Sequence, residues 1–127
     1  MSSDIHATYS PMAKILEGRT LSVNLREDLI KKIESLDIVP TLTIFQVGDK
    51  KESNLYIEKK KEFGKKIGVE IRHIKFPENI SQPEIEKQIE RENKDPAVHG
   101  IIVQLPLPDQ LDPDILVGKI DSKKDVD

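Results

Sequence analysis

Five lysines fall within the eight positions from Lys59 to Lys66, inside the stretch SNLYIEKKKEFGKKIG of residues 53–68. Clustered amines offer three kinds of chemistry: a solvated basic face, a patch for phosphate or nucleic acid, or one desolvated lysine that exchanges protons. A helical wheel separates the five. At about 100° per residue, Phe63, Tyr56, Ile67, Lys60, Ser53 and Gly64 share an arc of roughly 100° that forms the apolar side. Lys60 lies inside that arc. Lys61 and Lys65 fall well outside it, and Lys59 and Lys66 flank its edge, where long stems snorkel to water. A lysine on the buried side is desolvated, which lowers its pKa and makes a neutral amine accessible; the competing reading is a Lys60 that snorkels from the helix edge. Tyr56, one turn earlier on the same stripe, is either a half-buried core aromatic or a platform for a ligand, and Ser53 lies one turn earlier again.

These side chains need elements to carry them. Residues 19–36 place Leu21, Leu25, Leu29 and Ile33 four apart, which predicts a first helix. TLTIFQVG (41–48) is β-branched and apolar and reads as a buried strand. After the polar turn DKKES, Ser53 is expected to cap a helix running to about Ile67, with Gly68 as its stop. VEIRHIKF (69–76) alternates as a second strand, and SQPE (81–84) is a capping box opening a helix with Ile85 and Ile89 on one face. Asp95-Pro96 ends that helix. VHGIIVQL (98–105) is a third strand stopped by Pro106 and Pro108, and Asp112-Pro113 starts one more short helix.

Helices alternating with strands in this order predict βαβ units, hence an α/β domain of three layers with a mainly parallel sheet flanked by helices. Ligands of such sheets bind outside the carboxyl ends of the strands. Ser53 and Tyr56 open the helix after the first strand and Gln104 ends the third, so with Lys60 they are expected at one edge. The Gln104 carboxamide both donates and accepts, although a strand-end glutamine is more commonly just a polar terminus.

Composition sets the remaining bounds. A chain of 127 residues fits one domain. Its net charge of −3 counts against a dedicated nucleic-acid binder. Without cysteine there is no disulfide, thiolate nucleophile or thiolate metal site, and the histidines are scattered, so no metal site is expected. His73 and His99 read as structural or surface residues, Glu84, Glu86, Glu90 and Glu92 as a solvated helix face with Lys87 and Arg91, and Asp112 with Asp114 as helix caps. The apolar runs are too short to span a membrane. Residues 1–12 read as a flexible tail without targeting character, in a cytosolic protein. The chain stops after KKDVD with no closing element, as one domain of something larger would.

SNLYIEKKK, followed about forty residues later by VHGIIVQLPLP and then by KKDVD, resembles the bifunctional methylenetetrahydrofolate dehydrogenase/methenyltetrahydrofolate cyclohydrolase family. The likeness covers residues 13–127, with LEGRTLS and TLTIFQVGDKKES also in family order, and corresponds to the N-terminal, folate-binding catalytic domain. It implies that Tyr56 stacks on the folate, that Lys60 is the catalytic lysine working with Gln104, and that Asp127 holds the pterin edge through paired hydrogen bonds. It implies a tetrahydrofolate derivative as substrate and NADP or NAD as hydride acceptor, bound by a Rossmann domain that these residues do not include. A homodimer of the full-length protein is a further expectation. Two departures stand out. Glu62 occupies a position where many members carry lysine, and no glycine-rich dinucleotide fingerprint occurs, since Gly64 and Gly68 sit inside and at the end of a helix. The rival from another class is a noncatalytic domain that binds folate or docks an anionic partner through its lysines.

Overall fold

The computed structural model of the protein describes residues 23–126. The expected tail over 1–12, Leu21 and Asp127 lie outside the described residues, as do the side chains of Leu25 and Leu29. Among the described residues four helices and three strands alternate: α1 (Val23–Glu34), β1 (Thr41–Val47), α2 (Lys51–Ile67), β2 (Glu70–Phe76), α3 (Gln82–Lys94), β3 (Gly100–Val103) and α4 (Pro113–Lys119).

The strands form one parallel sheet in the order β2-β1-β3. Every residue of β1 is buried, as befits a central strand covered on both faces. Its side chains alternate between two cores. Leu42 and Ile44 pack with Ile33 of α1, Ile57 and Ile67 of α2, and Ile102. Phe45 and Val47 pack with Ile85 and Ile89 of α3, Leu116 of α4, Ile101 and Val103. Helices therefore cover both faces, giving the expected three layers. β3 is shorter than the run 98–105, yet the N–H groups of His99 and Gln104 still donate to Thr41 O and Phe45 O at 2.8 Å each, so its pairing with β1 extends beyond both ends. Outside β3, Asp125 bridges Ile101 in parallel, drawing the KKDVD segment alongside the sheet.

Two expectations need correction. Ser53 does not cap α2. Gly48, at φ +83°, turns the chain directly after β1, and Asn54 N donates to Lys50 O at 2.9 Å, so Lys50 is the N-cap and Ser53 sits in the first turn with 4% exposure. Glu92 does not belong to a solvated face. It lies seven residues after Ile85, on the same side of α3, and is 5% exposed. Its carboxylate accepts from Thr43 Oγ1 at 2.7 Å and from Arg72 Nη1 at 3.1 Å, which is how a buried charge is tolerated.

The other punctuation behaves as its chemistry dictates. Ser81 Oγ accepts from Glu84 N and donates to Glu84 Oε1, and Asp112 Oδ1 accepts from the N–H groups of Asp114 and Ile115. Gly68 closes α2 at φ +90°, donating to Gly64 O. Gly64 itself marks a close approach: a Cβ there would stand 2.9 Å from Val69 O and 3.0 Å from Ile71 Cγ1.

Candidate active site

β1 is followed by a crossover to β2 over one face of the sheet, while the path to β3 arrives over the other. In a sheet of this order the crevice lies outside the carboxyl ends of β1 and β3. α2 begins four residues after β1, and Gln104 directly follows β3.

Here Lys60 Nζ donates to Gln104 Oε1 at 3.0 Å, joining residues 44 apart in sequence. Gln104 is well anchored: its backbone N–H is tied to Phe45 O, and its Nε2 donates to Leu105 O at 3.2 Å. Its carbonyl dipole therefore has a fixed direction, toward the amine. An amine oriented in this way and half sheltered from water is suited to moving protons.

The buried positions of α2 are Ser53, Ile57, Gly64 and Ile67. The inner direction of the helix is thus turned toward Ile57, which lies outside the apolar arc of the wheel. The consequence for Tyr56 is an exposed ring at 56%, available to a ligand rather than packed in the core. Lys60 is half-buried at the margin, and Lys61, expected in water, is partly covered and pairs with Glu58 at 3.2 Å. The structure thus brings Lys60 and Gln104 into contact, with Tyr56 one turn earlier on the same helix and Ser53 buried beneath. Asp127 lies outside the described residues, next to Val126, which is buried in the core on the α2 side.

Both histidines described serve the fold. His99 Nδ1 accepts from Thr41 N at 3.1 Å, and His73 Nε2 is 2.8 Å from Gln46 Oε1. Burial is the main cause lowering the pKa of each, reinforced by Lys124 at His99 and by Lys61 and Lys75 at His73. Among the described residues no three of His, Asp and Glu converge as a metal site would need, and no helix is long and apolar enough to cross a membrane.

Two features escaped the sequence reading. Lys124 of KKDVD reaches back to the last turn of α3, donating to Glu92 O at 3.0 Å and Asp95 O at 2.7 Å. Burial lowers its pKa, opposed by Asp121, Asp95 and Glu92. The second is a chain of amides under the start of α2, in which Gln46 links His73 to Asn54. A carboxamide inside the apolar run TLTIFQV was its signal.

Residues 16–127 match the family model for the tetrahydrofolate dehydrogenase/cyclohydrolase catalytic domain. The chain is 42% identical over 119 residues to the bifunctional protein FolD 2 of Lactobacillus johnsonii, covering 91% of this chain and 42% of that one. Among solved structures, the bifunctional FolD methylenetetrahydrofolate dehydrogenase/cyclohydrolase of Campylobacter jejuni superposes with a TM-score of 0.80 at 37% identity, over 88% of this chain and 41% of its own. The Trypanosoma brucei enzyme, solved with NADP cofactor and an inhibitor, gives 0.77 at 28% identity, over 85% and 38%. The chain thus spans less than half the length of these relatives. With the parallel sheet, the lysine–glutamine contact at its edge and this likeness over nearly all of its length, the chain belongs to the tetrahydrofolate dehydrogenase/cyclohydrolase family, matching its catalytic domain.

Proposed function

We propose that this chain is the folate-binding and catalytic part of an enzyme that oxidises 5,10-methylenetetrahydrofolate to the 5,10-methenyl cation with NADP or NAD and hydrolyses that cation to 10-formyltetrahydrofolate. The observation that carries the reading is the 3.0 Å hydrogen bond from Lys60 to Gln104 at the carboxyl edge of the sheet. In the hydrolysis, water adds to the methenyl carbon, the added oxygen gives up its protons, and the bond from that carbon to N5 breaks as N5 takes one up, with one proton released overall. Lys60, oriented by Gln104, accepts from the added water and returns a proton to the ring nitrogen. The exposed Tyr56 ring offers a face for the folate to stack upon. Asp127 supplies a carboxylate suited to paired hydrogen bonds from the pterin.

The nucleotide does not fit the residues present. The glycine turn after β1 reads VGDKKES, without the second and third glycines that bring a pyrophosphate onto a helix N-terminus. The acceptor's site therefore belongs to a Rossmann domain outside these residues, which would face Tyr56, Lys60 and Gln104 across a cleft and form the main contact of a homodimer. A cytosolic location agrees with a chain free of cysteine.

The test is Lys60→Met in the full-length protein. Cyclohydrolase activity falls by at least about a hundredfold while folate affinity stays within a few-fold. Unchanged hydrolysis contradicts the reading and leaves a noncatalytic folate-binding domain.

A further inference from the structure

Gln46 is a primary amide placed where the sheet is driest. It is the penultimate residue of β1, 1% exposed, on the α2 face of a strand whose seven residues are all buried. Such a group is retained only when its hydrogen bonds are satisfied, and both ends of this one are. Its Oε1 faces His73 Nε2 at 2.8 Å on the neighbouring strand, and its Nε2 donates to Asn54 Oδ1 at 2.7 Å in the first turn of α2. Asn54 Nδ2 in turn donates to Asp49 Oδ1 at 2.8 Å, and Lys75 of β2 holds the same oxygen. With His73 donating through Nε2, the bonds run in one direction from β2 through β1 and α2 and end on the Asp49 carboxylate, to which Lys75 of β2 donates from the other side. The chain is directional, so reversing one amide breaks its neighbours.

This network is placed where α2 lacks ordinary support. The N-cap, Lys50, makes no side-chain cap hydrogen bond. The first turn is held instead through Asn54, which precedes Tyr56 by two residues and directly follows the buried Ser53. We infer that Gln46, acting through Asn54 with His73 as its fixed support, is a positioning residue for the folate platform, setting the first turn of α2 and thereby the place of Tyr56 against the substrate. Lys60, a turn further on and held independently by Gln104, depends on it less. The effect belongs in substrate binding more than in the chemical step.

This inference rests on the proposed folate site, so the experiment pairs it with a Lys60→Met control in the full-length protein. Gln46→Met keeps the volume and removes both hydrogen bonds, and Asn54→Ala, at a half-buried position, breaks the same link without disturbing the core. For either variant the folate KM rises about tenfold with kcat within about twofold. Amide exchange in residues 52–57 accelerates. In a Tyr56→Ala background the added effect of Gln46→Met or Asn54→Ala disappears, because the network acts through Tyr56. Lowered thermal stability with folate KM within about twofold, or a full additional loss on top of Tyr56→Ala, overturns the inference. A Lys60→Met protein that hydrolyses as fast as the unaltered one instead overturns the folate enzyme reading itself.

Discussion

The His99 imidazole accepts the Thr41 N–H through Nδ1 at 3.1 Å, which requires that nitrogen to be unprotonated. Burial, reinforced by Lys124, holds its pKa below the ordinary 6.5. The unfolded chain therefore binds more protons than the folded one as pH drops past 6.5, so stability is full above that value and declines as the medium is acidified toward the folded pKa. His73 is shifted the same way and adds to the same slope. His99→Gln retains an acceptor that does not titrate. Thermal unfolding followed from about pH 7.5 down to about pH 5 should show a shallower loss in that variant than in the unaltered protein; an equal slope would refute the assignment. Some residues at this scale are legible in sequence and others are not. Lys60 and Gln104 stand out because a lysine on an apolar stripe and a glutamine at a strand end are visible locally. The buried role of Glu92 is not visible locally, because its partners, Thr43 and Arg72, lie 49 and 20 residues away.

At the level of elements, the boundaries that follow from glycine, proline and capping chemistry are the ones the sequence anticipates, except the start of α2, where Lys50 and not Ser53 is the N-cap. Gly68 stops α2, Ser81 and Asp112 open α3 and α4, and the three strands fall within the expected runs. The rotation of α2 was not legible. Its wheel holds two arcs of mixed character, and only packing on β1 and β2 decides that Ile57 points inward and Tyr56 out. Gly64 is the fulcrum of that packing. Alanine is the better helix former by about 1 kcal/mol, but its Cβ would meet Val69 O at 2.9 Å, a backbone atom with little freedom to retreat. Overpacking of this kind costs about 1–3 kcal/mol. Gly64→Ala therefore lowers the midpoint of thermal unfolding despite its propensity gain. A raised midpoint would show that α2 shifts freely on the sheet, contrary to a site that depends on its position.

For the whole molecule, the parallel order and three layers follow from the alternation of helix and strand, whereas the contact between Lys60 and Gln104 exists only once α2 and β3 are assembled about β1. The chain covers 42% of the Lactobacillus johnsonii relative and carries no dinucleotide fingerprint. These 127 residues alone should accordingly form no NADPH from methylenetetrahydrofolate and NADP; measurable reduction would place a nucleotide site within them. The central claim is that Lys60 and Gln104 act as one proton-transfer unit, and a double-mutant cycle in the full-length protein tests it most directly. Cyclohydrolase rates are measured for Lys60→Met, Gln104→Leu and both together. If the two residues work as a unit, the double variant is no slower than Lys60→Met alone, within about twofold; losses that multiply would contradict it.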